Sequence, residues 1–235
     1  MAFVALAAVL GALFVRLGVW QLSRLGERRA SNRAIAGQLL MDPAPYAAVA
    51  AAPDPVNRRA RIEGTPDYAS EFVVTGRSRN GSPGVHIFTP LRVAGNDTAI
   101  LVNRGWTYSP DAASVELPRW TEERTSFSGY IQALPSGTMA NVRGRGLRPL
   151  TEDGVRRLVS YPVRRLYLVS QDSAGENAPV RLPPPALDEG PHLSYAIQWF
   201  AFAVIALVGT FAVIRRSRDG ARSALVERST FQNRH

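Results

Sequence analysis

A chain of 235 residues, 46% of them hydrophobic, has material for one domain of ordinary size plus membrane anchors. Its 28 basic residues are all arginine and give a net charge of +9, but they are scattered, with no basic stripe or interleaved aromatics, which argues against nucleic acid as a partner. The lack of cysteine excludes disulfides, iron–sulfur clusters and thiolate-bound zinc or copper, and three dispersed His and three Met argue against a copper carrier.

The N-terminus, MAFVALAAVLGALFV, is apolar from the first residue and lacks the basic n-region and small-residue cleavage site of a signal peptide. It predicts a first membrane helix over about Ala2 to Leu22, interrupted by Arg16 and leaving room for a start further upstream. An intramembrane arginine points to function, either snorkelling or pairing with an acidic group on a partner. Glu27 to Leu40 reads as a separate short helix with Ile35, Leu39 and Leu40 on its apolar side. MDPAPYAAVAAAPDPVN follows as a Pro/Ala-rich connector.

Strand patterns then begin. RRARIEG alternates through Ala60, Ile62 and Gly64, and EFVVTGR leads into the turn SRNGSPG. VHIFTPLRV alternates through Val85, Ile87, Thr89, Leu91 and Val93, and after AGND the chain returns as TAILVNRGW, with Ile100, Val102, Arg104 and Trp106 on one face. SFSGYIQAL and VRRLYLVSQ add two more strands, separated by a Gly/Arg loop from Pro135 to Pro149 and a short helix opened by Thr151. LPPPALDEGP is a stiff extended lead into the next element.

That element is a twenty-residue run without formal charge, Tyr195 to Ile214, which at helical rise spans ~30 Å, the thickness of a bilayer core. Six arginines follow against Asp219 and Glu227, so this tail is expected on the cytoplasmic side. Two spans put both termini there and the central domain outside. Arg24, Arg28, Arg29 and Arg33 then sit on the outer side, as long domains translocate largely regardless of charge.

Few residues outside these elements suggest chemistry. No nucleophile elbow, zinc-protease, P-loop or dinucleotide motif is present. GRGLRP reads as a solvated loop rather than an anion site, His86 as a strand histidine rather than a ligand, and His235 as part of a disordered tail. His192 is different. On a helix it shares a face with Tyr195, Trp199 and Phe202, at i, i+3, i+7 and i+10. Two readings stand: an interfacial aromatic belt with a polar first turn, or an imidazole ligand for haem with aromatic walls. A hairpin topology places Trp20 and Gln21 at about the depth of Gln198 and Trp199, so a Gln21–Gln198 hydrogen bond of roughly 1 kcal/mol is expected to pin the two helices. Arg16 lies about 8 Å deeper than Gln21, so Arg24 is better placed than Arg16 for a haem propionate at the outer surface.

Three blocks together resemble the SURF1 family of cytochrome c oxidase assembly factors, in its bacterial, actinobacterial form. LGVWQLSRLGER (Leu17 to Arg28) is similar to the family's Gly-x-Trp-Gln segment ending the first span. GSPGVHIFTPLRVAGNDTAILVNRGW (Gly81 to Trp106) is similar to its central block, ending in Val-Asn-Arg-Gly-Trp. HLSYAIQWFAFA (His192 to Ala203) is similar to the His-x-x-Tyr-Ala-x-x-Trp-Phe opening of the second span. The stretch from Ala112 to Arg181 matches only in general character, and Thr107 and Tyr108 replace the family's usual Val-Pro. The resemblance implies a non-enzymatic protein of the bacterial plasma membrane that handles haem a between haem a synthase and oxidase subunit I. It implies His192 as haem ligand and places Arg104 and Trp106 in the central signature; the helical face puts Tyr195 and Trp199 beside His192, and hairpin depth adds Trp20, Gln21, Arg24 and Gln198 as structural or partner positions. For Arg104 and Trp106 a folding role and a contact role stay open.

The expectation is thus an α+β membrane protein in which two transmembrane helices flank a β-rich extracytoplasmic domain, antiparallel and barrel- or sandwich-like. The expected parts are a first transmembrane helix over 1–25, a helix and connector over 26–57, the β domain over 58–182, a Pro-rich linker over 183–194, a second transmembrane helix over 195–214, and a basic cytoplasmic tail over 215–235. The alternative to an assembly factor is a lasting accessory subunit of a respiratory oxidase without haem of its own. A membrane-anchored enzyme or sensor is disfavoured by the missing nucleophile, metal cluster and output domain.

Overall fold

The computed structural model describes residues 2–175 and 178–232, with side chains described for 3–175 and 178–218; His235 lies outside them. The chain divides into two compact units, Met1–Arg33 with Asp188–His235, and Ala34–Leu187.

The first unit is built from two long helices. Helix α1 (Ala2–Leu40) runs without a break through the region expected to hold two separate helices. Neither Arg16 nor Gly26 interrupts it, because arginine is a good helix former and a single glycine costs only about 1 kcal/mol. It stops before Asp42-Pro43, where the proline ring disfavours helical backbone at the residue preceding it. The last helix of the chain (His192–Gln232) starts directly after Pro191 and also outruns its expected end at Ile214. The arginines that follow are charged but helix-compatible, so a change of solvent preference is not a change of backbone. Both helices are long and apolar enough to cross a membrane. Leu6, Val9, Leu13, Val204, Ile205 and Leu207 are exposed, which a bilayer tolerates and water does not.

The second unit carries the β-rich domain. Its strands are β1 (Ala44–Pro45), β2 (Arg59–Glu63), β3 (Thr65–Pro66), β4 (Phe72–Arg79), β5 (Ser82–Arg92), β6 (Ile100–Tyr108), β7 (Ser126–Ala133), β8 (Asn141–Arg143), β9 (Gly146–Arg148) and β10 (Leu166–Ser170). They form one sheet in the order β1-β2-β7-β10-β6-β5-β4-β9-β8, with β3 pairing β5 off that path. β4, β5 and β6 pair antiparallel in succession, as the meander pattern predicts. The sheet as a whole is mixed: β1–β2, β10–β6 and β4–β9 are parallel. The β4–β5 turn narrows to Asn80-Gly81, both at positive φ (50° and 79°), the two-residue arrangement that suits strand twist.

Two short helices, α2 (Tyr46–Ala50) and α3 (Glu152–Leu158), complete the unit. Thr151 caps α3 by accepting from Gly154 N, as its place in the sequence predicts. The Pro/Ala-rich connector is not a loose linker: it supplies β1 and α2, and Tyr46 and Val49 are buried with Ile62, Val102, Phe127, Ile131 and Leu168. The Gly/Arg loop likewise contains a hairpin, β8–β9, and Leu147 joins Phe72, Phe88, Leu101, Leu150 and Val155 in a second cluster. The sheet is therefore covered on both faces. That explains why Val85 to Leu91, apart from His86, and Ile100 to Thr107 are buried continuously instead of in alternation.

Candidate functional site

Two polar constellations stand out, one in each unit. In the helical unit, His192 is the first residue of the last helix and is half-buried. Its Nδ1 donates to Gln21 Oε1 of α1 at 2.9 Å. Gln21 is therefore the cross-helix partner of His192 and not of Gln198, which is exposed. The helices reach this approach through Gly18, since a Cβ there would meet the Phe200 ring at 2.7 Å. Below it Phe14 stacks on Trp199, with ring centroids 5.8 Å apart and planes at 23°, and Trp199 meets Phe202 edge-on at 5.8 Å. Trp199 is thus part of the helix–helix packing rather than a free wall beside His192. Tyr195 and Trp20 are exposed, and so is Arg16.

A hollow of about 420 Å³ opens at this end of the hairpin, lined by Arg24, Glu27, Arg28, Asp188, Gly190 and His192. Arg24 pairs with Glu27 at 2.6 Å, one turn along the same helix. Arg28 Nε donates to Asp188 O at 2.9 Å, and Asn32 Nδ2 donates to the same oxygen at 3.1 Å. Arg29 grips Glu189 with two hydrogen bonds of 2.9 Å. The hydrogen bond and charge of Arg29 hold the Glu189 carboxyl below its usual range. The Asp188 carboxylate turns back to accept from Gly190 N at 2.8 Å. A Cβ on Gly190 (φ 70°) would lie 3.5 Å from His192 Cδ2 and 3.6 Å from Nε2, so that edge of the imidazole lies beside the glycine. The hollow brings the imidazole together with two arginines and with Glu27 and Asp188, side chains with the donors to hold an anionic or metal-bearing group. The exposed Arg24–Glu27 pair is weak enough to be exchanged for another carboxylate, and among the described residues Arg28 is held only through a backbone carbonyl.

In the β unit, Arg104 is fully buried. The β5–β6 register shifts by one residue here, with Ile87 opposite Gly105 and Phe88 opposite Asn103, leaving Arg104 as the extra residue of a β-bulge. Gly105 (φ 135°) makes the bulge possible, because a Cβ there would lie 2.4 Å from Val180 O. The re-aimed guanidinium donates from Nη2 to Glu71 Oε1 at 2.5 Å, from Nε to Thr89 Oγ1 at 2.8 Å, and from Nη1 to Glu122 Oε2 at 3.0 Å and to Trp120 O. Thr89 in turn donates to Glu71. Arg181 closes the network by donating to Glu122 Oε1 at 2.6 Å and to Arg104 O at 2.6 Å.

Burial pushes the Glu71 carboxyl above its ordinary value, against the pull of Arg104 and Thr89. Burial also pushes Glu122 up, but the hydrogen bond and charge of Arg181, with those of Arg104, outweigh it and hold that carboxyl low. Arg104 has no surface to offer a partner, so its geometry is that of a folding element. Trp106 is buried as well, its indole packed on Gly84 and its Nε1 without a hydrogen-bond partner among the described residues.

Glu71, Glu122 and Arg181 escape a reading of the sequence. An arginine in an apolar strand demands acidic partners, but nothing local selects these two carboxylates from the 19 in the chain. The Arg24/Arg28 hollow was half-visible, since Arg24 could be placed from helical rise but Asp188 and Gly190 could not.

The profile of the SURF1 family matches residues 8–204, from within the first helix to within the last. A SURF1-like protein of Mycobacterium bovis is 27% identical over 236 residues, covering 89% of this chain and 83% of its own. SURF1-like proteins from two strains of Mycobacterium tuberculosis match to the same extent. His192, Gln21 and the Arg104 bulge all fall inside the matched span. The chain belongs to the SURF1 family, which is associated with assembly of cytochrome c oxidase.

Proposed function

We propose that this protein is a plasma-membrane assembly factor that holds haem a transiently at the mouth of its helical hairpin and passes it to oxidase subunit I. The observation that carries the reading is the half-buried imidazole of His192 facing a hollow that also contains Arg24 and Arg28. His192 would hold the iron, and Arg24 and Arg28 would take the propionates. Haem a would supply the redox iron and the hydrophobic body that keeps it at the membrane. Arg104 and its partners hold the β domain's fold and touch no cargo. Trp20 and Tyr195, exposed at the level of the site, are the aromatic groups left to meet lipid or a partner.

A single protein ligand suits a carrier, because one weak bond releases its cargo more readily than two. The arginines following Ile214 support cytoplasmic termini and an extracytoplasmic β domain. In this scheme haem a synthase donates the haem and subunit I receives it, and no covalent chemistry is required of the protein. The test is an absorption spectrum of detergent-purified protein co-expressed with haem a synthase, beside His192→Ala. A haem a spectrum lost in the variant is the expected result. A spectrum unchanged by the substitution removes His192 from the site. No haem in either protein turns the reading toward a scaffold that binds oxidase subunits directly.

A further inference from the structure

We propose that Gln21 is a positioning residue that fixes the tautomer and orientation of His192, so that Nε2 is the nitrogen offered to a metal. The proposal deepens the haem reading above and rests on it only for the identity of the metal. A carboxamide oxygen has lone pairs and no proton, so the 2.9 Å contact from His192 Nδ1 to Gln21 Oε1 puts the imidazole proton on Nδ1. A neutral ring protonated there has its lone pair on Nε2. That atom lies on the edge beside Gly190, where the missing side chain leaves room. The two nitrogens thus have separate tasks, one held by α1 and the other turned to the hollow.

The arrangement is the general one for metal-bound histidines, whose second nitrogen usually donates to an acceptor that sets ring angle and basicity. Here the acceptor belongs to a different helix from the ligand. The orientation of His192 therefore depends on how α1 and the last helix pack, and Gly18 against Phe200, one turn deeper, sets that packing. Gln198, although close to His192 in sequence, is exposed and takes no part.

The experiment uses the full chain in detergent micelles, labelled with 15N at histidine and held near pH ~8, where ordinary imidazoles are neutral. The spectrum of His192→Ala identifies the His192 signals among the three histidines. The wild type is expected to show the tautomer protonated at Nδ1. Gln21→Leu is expected to lose that preference, and Gln21→Glu, which keeps an acceptor oxygen, to restore it. Ferric iron protoporphyrin is then titrated into each protein. Gln21→Leu is expected to bind about 10- to 100-fold more weakly than wild type, with Gln21→Glu recovering most of the loss. A wild-type His192 protonated at Nε2, or a tautomer that Gln21→Leu leaves unchanged, overturns the proposal. A wild type with the expected tautomer that binds no porphyrin supports the role of Gln21 and overturns the haem reading instead.

Discussion

Arg104 and His192 are both nitrogen-bearing basic side chains that hydrogen-bond to another element of their unit, and the two units treat them in opposite ways. Arg104 is closed off: its guanidinium meets two carboxylates, a hydroxyl and a backbone carbonyl. His192 has one ring nitrogen engaged by Gln21 and its other edge beside Gly190. Complete pairing inside a core costs desolvation and returns specificity of fold. Partial pairing at an opening leaves one ring nitrogen without a hydrogen bond among the described residues, as the proposed ligand site requires. Both residues lie within the span matched by one family, so motif membership alone does not separate them. The count of satisfied donors and the exposure do.

The largest expected effect falls on Arg104. Arg104→Met removes the cation and leaves Glu71 buried without its partner. The β domain should lose about 3–5 kcal/mol, read as a lowered denaturation midpoint of the full chain by circular dichroism. Arg104→Lys should recover only part of it, because a point charge cannot reach Glu71, Thr89, Glu122 and Trp120 O together. The same substitutions should leave the His192 tautomer untouched. A wild-type midpoint in Arg104→Met would make the network dispensable and reopen a contact role for this residue.

This contrast also marks what the sequence could and could not convey. The two long apolar helices, the strands through Ala60–Ile62, Val85–Leu91 and Ile100–Trp106, and the cap at Thr151 follow from short-range pattern. The parallel pairings do not, because β10 inserts between β7 and β6 and β9 adds beside β4 through contacts that no local periodicity encodes. The connector around Tyr46 hides a core element for a related reason: its Pro and Ala carry no strand or helix period, yet Tyr46 donates to Leu166 O at 2.8 Å and fills the core. At the site, His192 was legible from its type and place. Its partner was not, since equal depth suggested Gln198 whereas the face presented to α1 belongs to His192.

His86 lies between these two extremes. It sits on β5 between Val74 of β4 and Trp106 of β6, half-buried and without an acidic partner among its described contacts. Burial, helped by the charge of Arg77, pushes its imidazole down to about 4. Its unfolded value near 6.5 is higher, so the unfolded chain binds the extra proton first. The stabilising contribution is therefore present above pH ~6.5 and is lost as pH falls towards 4. Relative to His86→Asn, the wild type should lose about 3 kcal/mol between pH 7 and pH 4. Glu71 and Glu122 shift in opposite senses but are common to both proteins, so they cancel in the difference. Parallel stability profiles for the two proteins would show that His86 ionises freely in the fold.

The smallest expected effect falls on the hairpin, at Gly18. Its hydrogen faces the Phe200 ring, where any Cβ would sit 2.7 Å from Cε1 and Cζ. Both contacts are with the far end of a side chain, so Gly18→Ala can be absorbed by a turn of the ring. A branched side chain leaves less room for that escape, and Gly18→Val should cost about 1–3 kcal/mol of helix packing. The expected readout is not unfolding of the β domain, whose midpoint should stay at the wild-type value. It is a partial loss of the Nδ1-protonated form of His192, because separating the helices one turn below Gln21 lengthens the bond that selects it. Phe200→Leu in the Gly18→Val background should bring the tautomer back. If Gly18→Val spreads the helices and His192 keeps its tautomer, the orientation of the ring is set within its own helix, and the dependence on α1 that separates this histidine from the sealed arginine disappears.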